Sequence, residues 1–430
     1  MRAARMEEAA GRQRGRADPG RTATLAGFPS APSRISCWGM DHSTASSHPN
    51  TAEMLARLVS FDTTSRNSNL PLIAYVREYL DAHAVPYRIS TDADGKKANI
   101  HAVVGPQAPG GIALSGHVDT VPVDGQAWSA DPFSLRRADG RLYARGAADM
   151  KGFVSACLAA VPEIKARNLA RPLHLFISYD EEVGCFGAQR LLQDLDESGL
   201  KPALCVVGEP SGMQPILAHK GKLNLRVRVR GRTGHSSEPG KGVNAIHAAG
   251  EALAHIAAEA RRLATEGPFE DGFDPRYTTI HVGTVQGGTI LNIIPERCEF
   301  VMEWRTIPGD DGMRHVERLR QAVAEGIEPD MHKVDPKTGF DFEILTTMPG
   351  LSLDPDHELT AIVKQLTGSN STGKVSYGTE GGYYQGAGIA TIICGPGHIA
   401  QAHQPDEWIA QDQLDACDAF IRRLVDRVLV

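Results

Sequence analysis

At 430 residues the chain is too long for one compact core, so two domains are expected. A formal net charge of −7 argues against a nucleic-acid partner, and no apolar run is long enough to span a bilayer. Seven arginines stand against Glu7, Glu8 and Asp18 before residue 41, so the remainder is more acidic than the whole.

Residues 1–40 are rich in Arg, Ala, Gly and Pro, show no apolar period and cannot bury enough surface to order themselves. A transit peptide fits the three acids poorly. An over-long gene start with Met40 as initiator is the preferred reading, and residues 1–45 are set aside as a disordered or non-native extension. From about Thr51, helix-like and strand-like segments alternate. Leu72, Ile73, Val76 and Leu80 recur at helical spacing, and Ile112–Leu114 is a short apolar strand running into His117. Phe153, Cys157, Val161 and Ile164 form a helical stripe. Leu173–Ile177 and Ala203–Val207 are further strands, with Leu191, Leu192 and Leu195 marking the helix between them. Alternation of this kind predicts an α/β fold with a mainly parallel sheet covered by helices.

Near residue 215 the period changes. Leu223, Leu225, Val227 and Val229 alternate with Asn224, Arg226 and Arg228, as in a half-exposed strand. A helix over about 243–263 follows. Strands are predicted at 279–283, 298–304 and 342–345, and a second helix carries Val316, Leu319, Val323 and Ile327. After about Gly350 the first pattern returns, with a helix through Leu359–Leu366, a strand at Ala390–Cys394 and a closing helix from Leu414 to Val428. The α/β domain is therefore expected over 46–214 and 349–430, with a smaller α+β domain inserted at 215–348. The seven cysteines are scattered with no C-x-x-C pair, the pattern of reduced, buried thiols in a cytoplasmic protein.

Acids and imidazoles stand just past apolar strands in Gly116-His117-Val118-Asp119, Asp180-Glu181-Glu182 and Gly208-Glu209-Pro210, and at the start of an apolar helix in Ala147-Ala148-Asp149-Met150-Lys151-Gly152. Buried carboxylates are costly unless paired or bound to a metal. Each residue alone has an ordinary reading as a helix cap, a surface pair or a loop residue. Together His117, Asp149, Glu182, Glu209 and His403 form a thiolate-free donor set that suits two divalent cations of zinc, cobalt or manganese, with zinc the first expectation and cobalt the second. Asp149 is expected in the first turn of a helix, favoured by its dipole, with both oxygens free to bridge. Asp119 can accept from the far nitrogen of His117. Of the neighbours Glu181 and Glu182, one can bind metal while the other carries protons.

The motifs at 116–122, 145–152, 179–188, 207–210, 231–246, 287–295 and 395–407 resemble the acetylornithine deacetylase branch of the metal-dependent aminoacylase and carboxypeptidase superfamily. Succinyl-diaminopimelate desuccinylase is a close relative of that branch. The resemblance implies that the α/β domain is catalytic and the inserted domain a lid that forms a homodimer. It implies that His117 and Glu209 hold one metal, Glu182 and His403 the other, and that Asp149 bridges them. Asp119 would orient His117, Glu181 would be the general acid/base, and His235 would reach a neighbouring subunit's site. Arg305 and Asn292 are implied as substrate contacts, and Glu380 as a partner for a substrate ammonium. The implied reaction is hydrolysis of N2-acetyl-L-ornithine to acetate and L-ornithine, a step of arginine biosynthesis. Desuccinylation and a broader N-acyl amino acid deacylase stand as alternatives. A non-catalytic metal-dependent binding protein is the different-class alternative, and a nucleotide-binding enzyme is disfavoured because no G-x-G-x-x-G follows the first strand. The expected partner is a small N-acyl amino acid, with neither nucleic acid nor membrane.

Overall fold

The structure is a computed structural model in which residues 48–430 are described. The expectations for residues 1–45 lie outside these, as does Cys37. In chain order the first helices and strands are α1 (Thr51–Val59), α2 (Leu70–Ala82), β1 (Tyr87–Thr91), β2 (Ala98–Val104), β3 (Ile112–His117), β4 (Arg136–Ala138) and β5 (Arg141–Tyr143). Then come α3 (Gly152–Lys165), β6 (Leu173–Ser178), α4 (Phe186–Ser198), β7 (Leu204–Pro210) and β8 (Ile216–His219). The inserted segment holds β9 (Gly221–Arg230), α5 (Ala245–Glu266), β10 (Thr279–Gly287), β11 (Arg297–Thr306), α6 (Gly312–Gly326), α7 (Glu328–Val334) and β12 (Gly339–Met348). The chain ends with β13 (Leu351–Ser352), α8 (Glu358–Thr367), β14 (Gly373–Val375), α9 (Gly381–Gly386), β15 (Ala390–Gly395), β16 (Trp408–Ala410) and α10 (Gln411–Val428).

The main sheet runs β1-β2-β6-β3-β7-β15-β8-β13, with β14 beside β8. Its centre, β6-β3-β7-β15, is parallel, and its flanks are antiparallel except for β14, which runs parallel to β8, so the sheet is mixed around a parallel middle. Every residue of β3, β6 and β7 is buried, as continuous apolar strands covered on both faces must be. On one face Leu114, Leu175 and Val206 join Val154 and Leu158 of α3 and Phe420 of α10 in one core. On the other, Phe176, Cys205 and Val207 pack with Leu191 of α4 and Tyr384 of α9. Gly208 sets how closely α3 lies on β7: a Cβ there would stand 2.0 Å from the Phe153 ring.

The inserted strands form a separate antiparallel sheet, β10-β11-β9-β12. Its alternating burial puts Leu225, Val227, Phe300 and Trp304 against Ala249 and Ile256 of α5 and Val316 and Leu319 of α6. The opposite face carries Arg226 and Arg228 paired with Glu299 and Glu343. The change of sheet falls at Lys220, later than the expected 215, because the buried run Ile216-Leu217-Ala218 still belongs to the main sheet. The return falls after Met348, and Leu351 of β13 pairs directly with His219 of β8. The six described cysteines, Cys157, Cys185, Cys205, Cys298, Cys394 and Cys417, are free and buried. Among the described residues no helix is long and apolar enough to cross a membrane.

Strand β2 escapes the sequence pattern because Asn99 and His101 interrupt it, yet both are buried. Asn99 donates to Ser90 Oγ and to the Gly187 carbonyl. His101 Nε2 lies 2.9 Å from His174 Nδ1, and His174 Nε2 lies 3.0 Å from the Gly110 carbonyl. A carbonyl only accepts, so His174 carries its proton on Nε2 and receives one from His101. This arrangement holds both rings neutral. Burial, reinforced by the adjacent His174, lowers the pKa of His101 to about 3, and burial lowers that of His174 to about 4. Both folded values lie below the unfolded value, so stability is full above about pH 6.5 and falls as pH drops from there towards about 3. Histidine NMR at pH 5 is expected to show both rings still neutral while urea unfolding shows a stability lower than at pH 7. Imidazolium shifts for the pair at pH 5 would contradict this.

Candidate metal centre

Strands β6, β3 and β7 are neighbours and parallel, so their carboxyl ends meet at one edge, where His117 pairs in register with Ser178. His117 is the last residue of β3, Glu209 lies at the end of β7, and Glu181 and Glu182 follow β6. Asp180 and Cys185, both with positive φ, bracket the turn that carries the two glutamates. His403, also with positive φ (62°), arrives from the loop before β16.

These elements bring all five expected ligands together. His117 Nε2 lies 3.1 Å from Asp149 Oδ1 and 3.8 Å from Glu209 Oε1. His403 Nε2 lies 3.1 Å from the other oxygen, Asp149 Oδ2, and 3.2 Å from Glu182. Asp149 thus points one oxygen at each imidazole. Donor atoms of His117, Glu181 and Glu209 converge within 4.8 Å of one another, as do those of His117, Asp149 and Glu182. His117, Asp149, Glu181 and Glu209 are buried, whereas the His403 side chain is 49% exposed.

Asp149 reaches this position differently from the expected helical one. Gly146 takes a left-handed conformation (φ 80°), Asp149 itself is extended (φ −123°, ψ 93°) and is followed by a cis peptide, and α3 begins only at Gly152. Its backbone N–H is held by Glu407 Oε1 at 3.1 Å, so a side chain and not the helix dipole organises this turn.

The electrostatics of the donor set follow from its burial. Burial pushes the Glu181 and Glu209 carboxyls well above the usual range, with the surrounding acids adding to the rise, and burial also raises Glu182. Burial opposes ionisation of Asp149 too, but hydrogen bonds from His117 and His403 hold its carboxyl low. Hydrogen bonds to Asp149 and Glu182 push His403 up to about 10, and Asp119 and Asp149 outweigh burial to raise His117. Acids this close need positive charge among them. A pair of divalent cations replaces the imidazole protons and fits the oxygen and nitrogen donors present.

Asp119 does more than face His117, whose Nδ1 lies 3.4 Å from its Oδ1 and 3.0 Å from its carbonyl oxygen. Its carboxylate also accepts the backbone N–H groups of Glu181 (3.0 Å) and Glu182 (3.3 Å) and the Ser65 hydroxyl (2.8 Å). It fastens the two glutamates to the histidine. Glu380 is sealed from solvent in the packing beneath the cluster, where its Oε2 accepts from Ser115 and Tyr384. His235 and Asn292 are brought together in the inserted domain, where His235 bridges to Ile293 and the Ser236 N–H donates to the Asn292 carbonyl. Arg305 stands beside Glu303 on β11 at 3.2 Å. Among the described residues no hydrogen bond or ion pair joins these three to the acid cluster.

A family model described as peptidase family M20/M25/M40 matches residues 113–427. The chain belongs to this family. It is 38% identical over 377 residues to an acetylornithine deacetylase of Myxococcus xanthus, covering 86% of this chain and 95% of that protein. In fold it is similar to a tripeptidase of Staphylococcus aureus (TM-score 0.69, 19% identity, 87% of this chain and 97% of that one). It is likewise similar to an M20 family metallo-carboxypeptidase of Sulfolobus solfataricus (TM-score 0.68, 16% identity, 88% and 98%). The resemblance read from the motifs is borne out, and the protein is a metal-dependent hydrolase acting on amide bonds.

Sequence reasoning missed Cys185 and Tyr377 as neighbours of the cluster. The Cys185 thiol lies 3.6 Å from Glu181 Oε1, and burial among acids keeps it protonated. Burial and the nearby Glu209 push the Tyr377 hydroxyl well above its usual value. Tyr377 has no local signal, because it is placed by tertiary packing, whereas Cys185 closes the turn that carries Glu181 and Glu182. Cobalt or zinc added to metal-stripped protein is expected to raise its melting temperature, since a ligand at a hundred times its Kd stabilises by about 2.7 kcal/mol per site. Asp149→Asn should lose most of that increase. An equal increase in the variant, read by differential scanning calorimetry, would contradict the bridging geometry.

Proposed function

We propose that the protein removes the acetyl group of N2-acetyl-L-ornithine, giving L-ornithine and acetate, in arginine biosynthesis in the cytoplasm. The observation that carries the reaction class is the buried carboxylate of Glu181 beside, but outside, the paired set of His117, Asp149, Glu182, Glu209 and His403. The substrate rests on the match to the Myxococcus xanthus deacetylase along nearly the whole length of both chains.

In this reading His117 and Glu209 hold one cation, Glu182 and His403 the other, and Asp149 both, with zinc the first choice and cobalt the second. When bound, such cations polarise the amide carbonyl and make a water acidic near neutral pH. The chain's own groups do the rest. Glu181 takes a proton from the attacking water as its oxygen bonds to the acyl carbon. It returns that proton to the departing α-nitrogen as the C–N bond breaks, leaving acetate and the free amine. A raised carboxyl pKa suits one group serving as base and then acid. Asp119 keeps His117 and the glutamate turn aligned throughout.

The segment 215–348 is read as a lid and dimerisation domain. Strand β10 is an edge of its sheet, and Val285, Ile290, Leu291 and Ile293 stand exposed on or next to it, Leu291 to 97%. An edge carrying that much apolar surface supports a second copy docking there. His235 from that copy would donate to the developing oxyanion, and Arg305 and Asn292 would engage the substrate's carboxylate and backbone.

The deciding experiment is acetate release from N2-acetyl-L-ornithine by metal-loaded enzyme, run beside N-succinyl-diaminopimelate and a panel of N-acetyl amino acids. Preferential turnover of acetylornithine is expected, and a clear preference for the succinyl substrate overturns the assignment. Glu181→Ala should retain both cations yet lose roughly a hundred- to ten-thousandfold in kcat. Parental turnover in that variant would remove Glu181 from its role.

A further inference from the structure

The small sheet β16-β5-β4 has no part in the chemistry above, yet it stands between two ligand-bearing segments. Glu407, immediately before β16, is 1% exposed. Its Oε1 accepts the backbone N–H groups of Ala148 (2.9 Å) and Asp149 (3.1 Å). Its Oε2 lies 2.7 Å from Arg145 Nη1, in an ion pair with both side chains 1% exposed. Arg145 Nη2 donates to Gln126 Oε1, and Gln126 Nε2 donates at 3.0 Å to the carbonyl of His403. A continuous chain of hydrogen bonds therefore runs from the backbone of Asp149, through a buried carboxylate and guanidinium, to the backbone of His403.

The local backbone explains why such an acceptor is needed. The N–H groups of Ala148 and Asp149 stand in the first turn after the left-handed Gly146, where no carbonyl of the same turn reaches them, and buried N–H groups left unpaired are costly. Only an acceptor brought from elsewhere in the chain satisfies them, and Glu407 comes from the segment that also carries His403. Asp149 Oδ2 and His403 Nε2 face each other at 3.1 Å across the position that one cation would take.

We infer that Glu407, set by Arg145, is a positioning residue for the metal centre: it fixes the turn bearing Asp149 and the loop bearing His403 at the spacing at which one cation engages both. This rests on the dinuclear reading above but is independent of the substrate. A glutamine at 407 is not equivalent. Its amide has a single acceptor oxygen for two sets of donors, so either the turn or Arg145 loses its partner.

The test is cobalt(II) titration of the full metal-stripped chain, followed by visible absorption and by competition with a chelator. It compares the parent with Glu407→Ala, Glu407→Gln, Gln126→Ala and Asp406→Ala. Asp406 bonds Ser129 on the exposed side of the same loop and serves as the control. Glu407→Ala is expected to weaken cobalt binding by roughly ten- to a hundredfold, the range for residues that orient metal ligands. Glu407→Gln and Gln126→Ala should fall between it and the parent, and Asp406→Ala should match the parent. Circular dichroism of the metal-free proteins separates this from misfolding. If Glu407→Ala does not fold, Glu407→Gln decides: weaker binding supports the inference and parental binding overturns it. Folded Glu407 variants that bind two cobalt ions as tightly as the parent overturn it as well. A parent chain that binds no cobalt would instead sink the dinuclear reading itself.

Discussion

Negative charge held out of water at the ends of three neighbouring strands sets the terms for everything around it. Asp149, Glu181 and Glu209 are buried where β6, β3 and β7 stop, above a floor of apolar side chains that cannot solvate them. Left alone they would take up protons, and the raised carboxyls of Glu181 and Glu209 record that tendency. Two imidazoles moderate it, and cations would complete the compensation. The rigidity of the floor follows from its packing. With the Phe153 ring seated on the bare backbone of Gly208, α3 and the turn before it cannot withdraw from β7 without opening a void.

Within that cluster similar acids have different work because their surroundings differ. Asp119 spends its oxygens on two backbone N–H groups and a hydroxyl, which makes it a fastener. Asp149 divides its oxygens between two imidazoles. Glu182 pairs with His403 at the more open side, where solvent reaches the imidazole. Glu181, whose carboxylate has the Cys185 thiol as its one side-chain hydrogen-bond partner among the described residues, is the group left free for proton transfer in the proposed chemistry.

What could be read from residue order follows the same physics. Leu173–Ile177 and Ala203–Val207 are continuous apolar runs, so their strands, and the acids just beyond them, stood out. Glu182 and Glu209 follow from those positions, whereas the division of ligands between two cations rests on family resemblance. Ala98–Val104 was hidden because Asn99 and His101 look like surface residues until their partners, Ser90, Gly187 and His174, are brought in from afar. The segment Ala147-Ala148-Asp149-Met150-Lys151 reads as helix, yet Gly146 and a distant glutamate turn it aside. Glu380 looked available because nothing nearby in sequence announces that Ser115 and Tyr384 will enclose it. Strands of three residues, such as β4, β5 and β16, are too short to show any period at all.

The direct pairing of His219 with Leu351 places the two ends of the inserted domain side by side on adjacent antiparallel strands. Topologically, that whole domain occupies the position of a hairpin turn that has been enlarged. Its ends were already held together by the host sheet, so lengthening the turn carried only the slowly growing entropy of a longer loop. An architecture of this kind lets the inserted domain vary while the host strands keep their register.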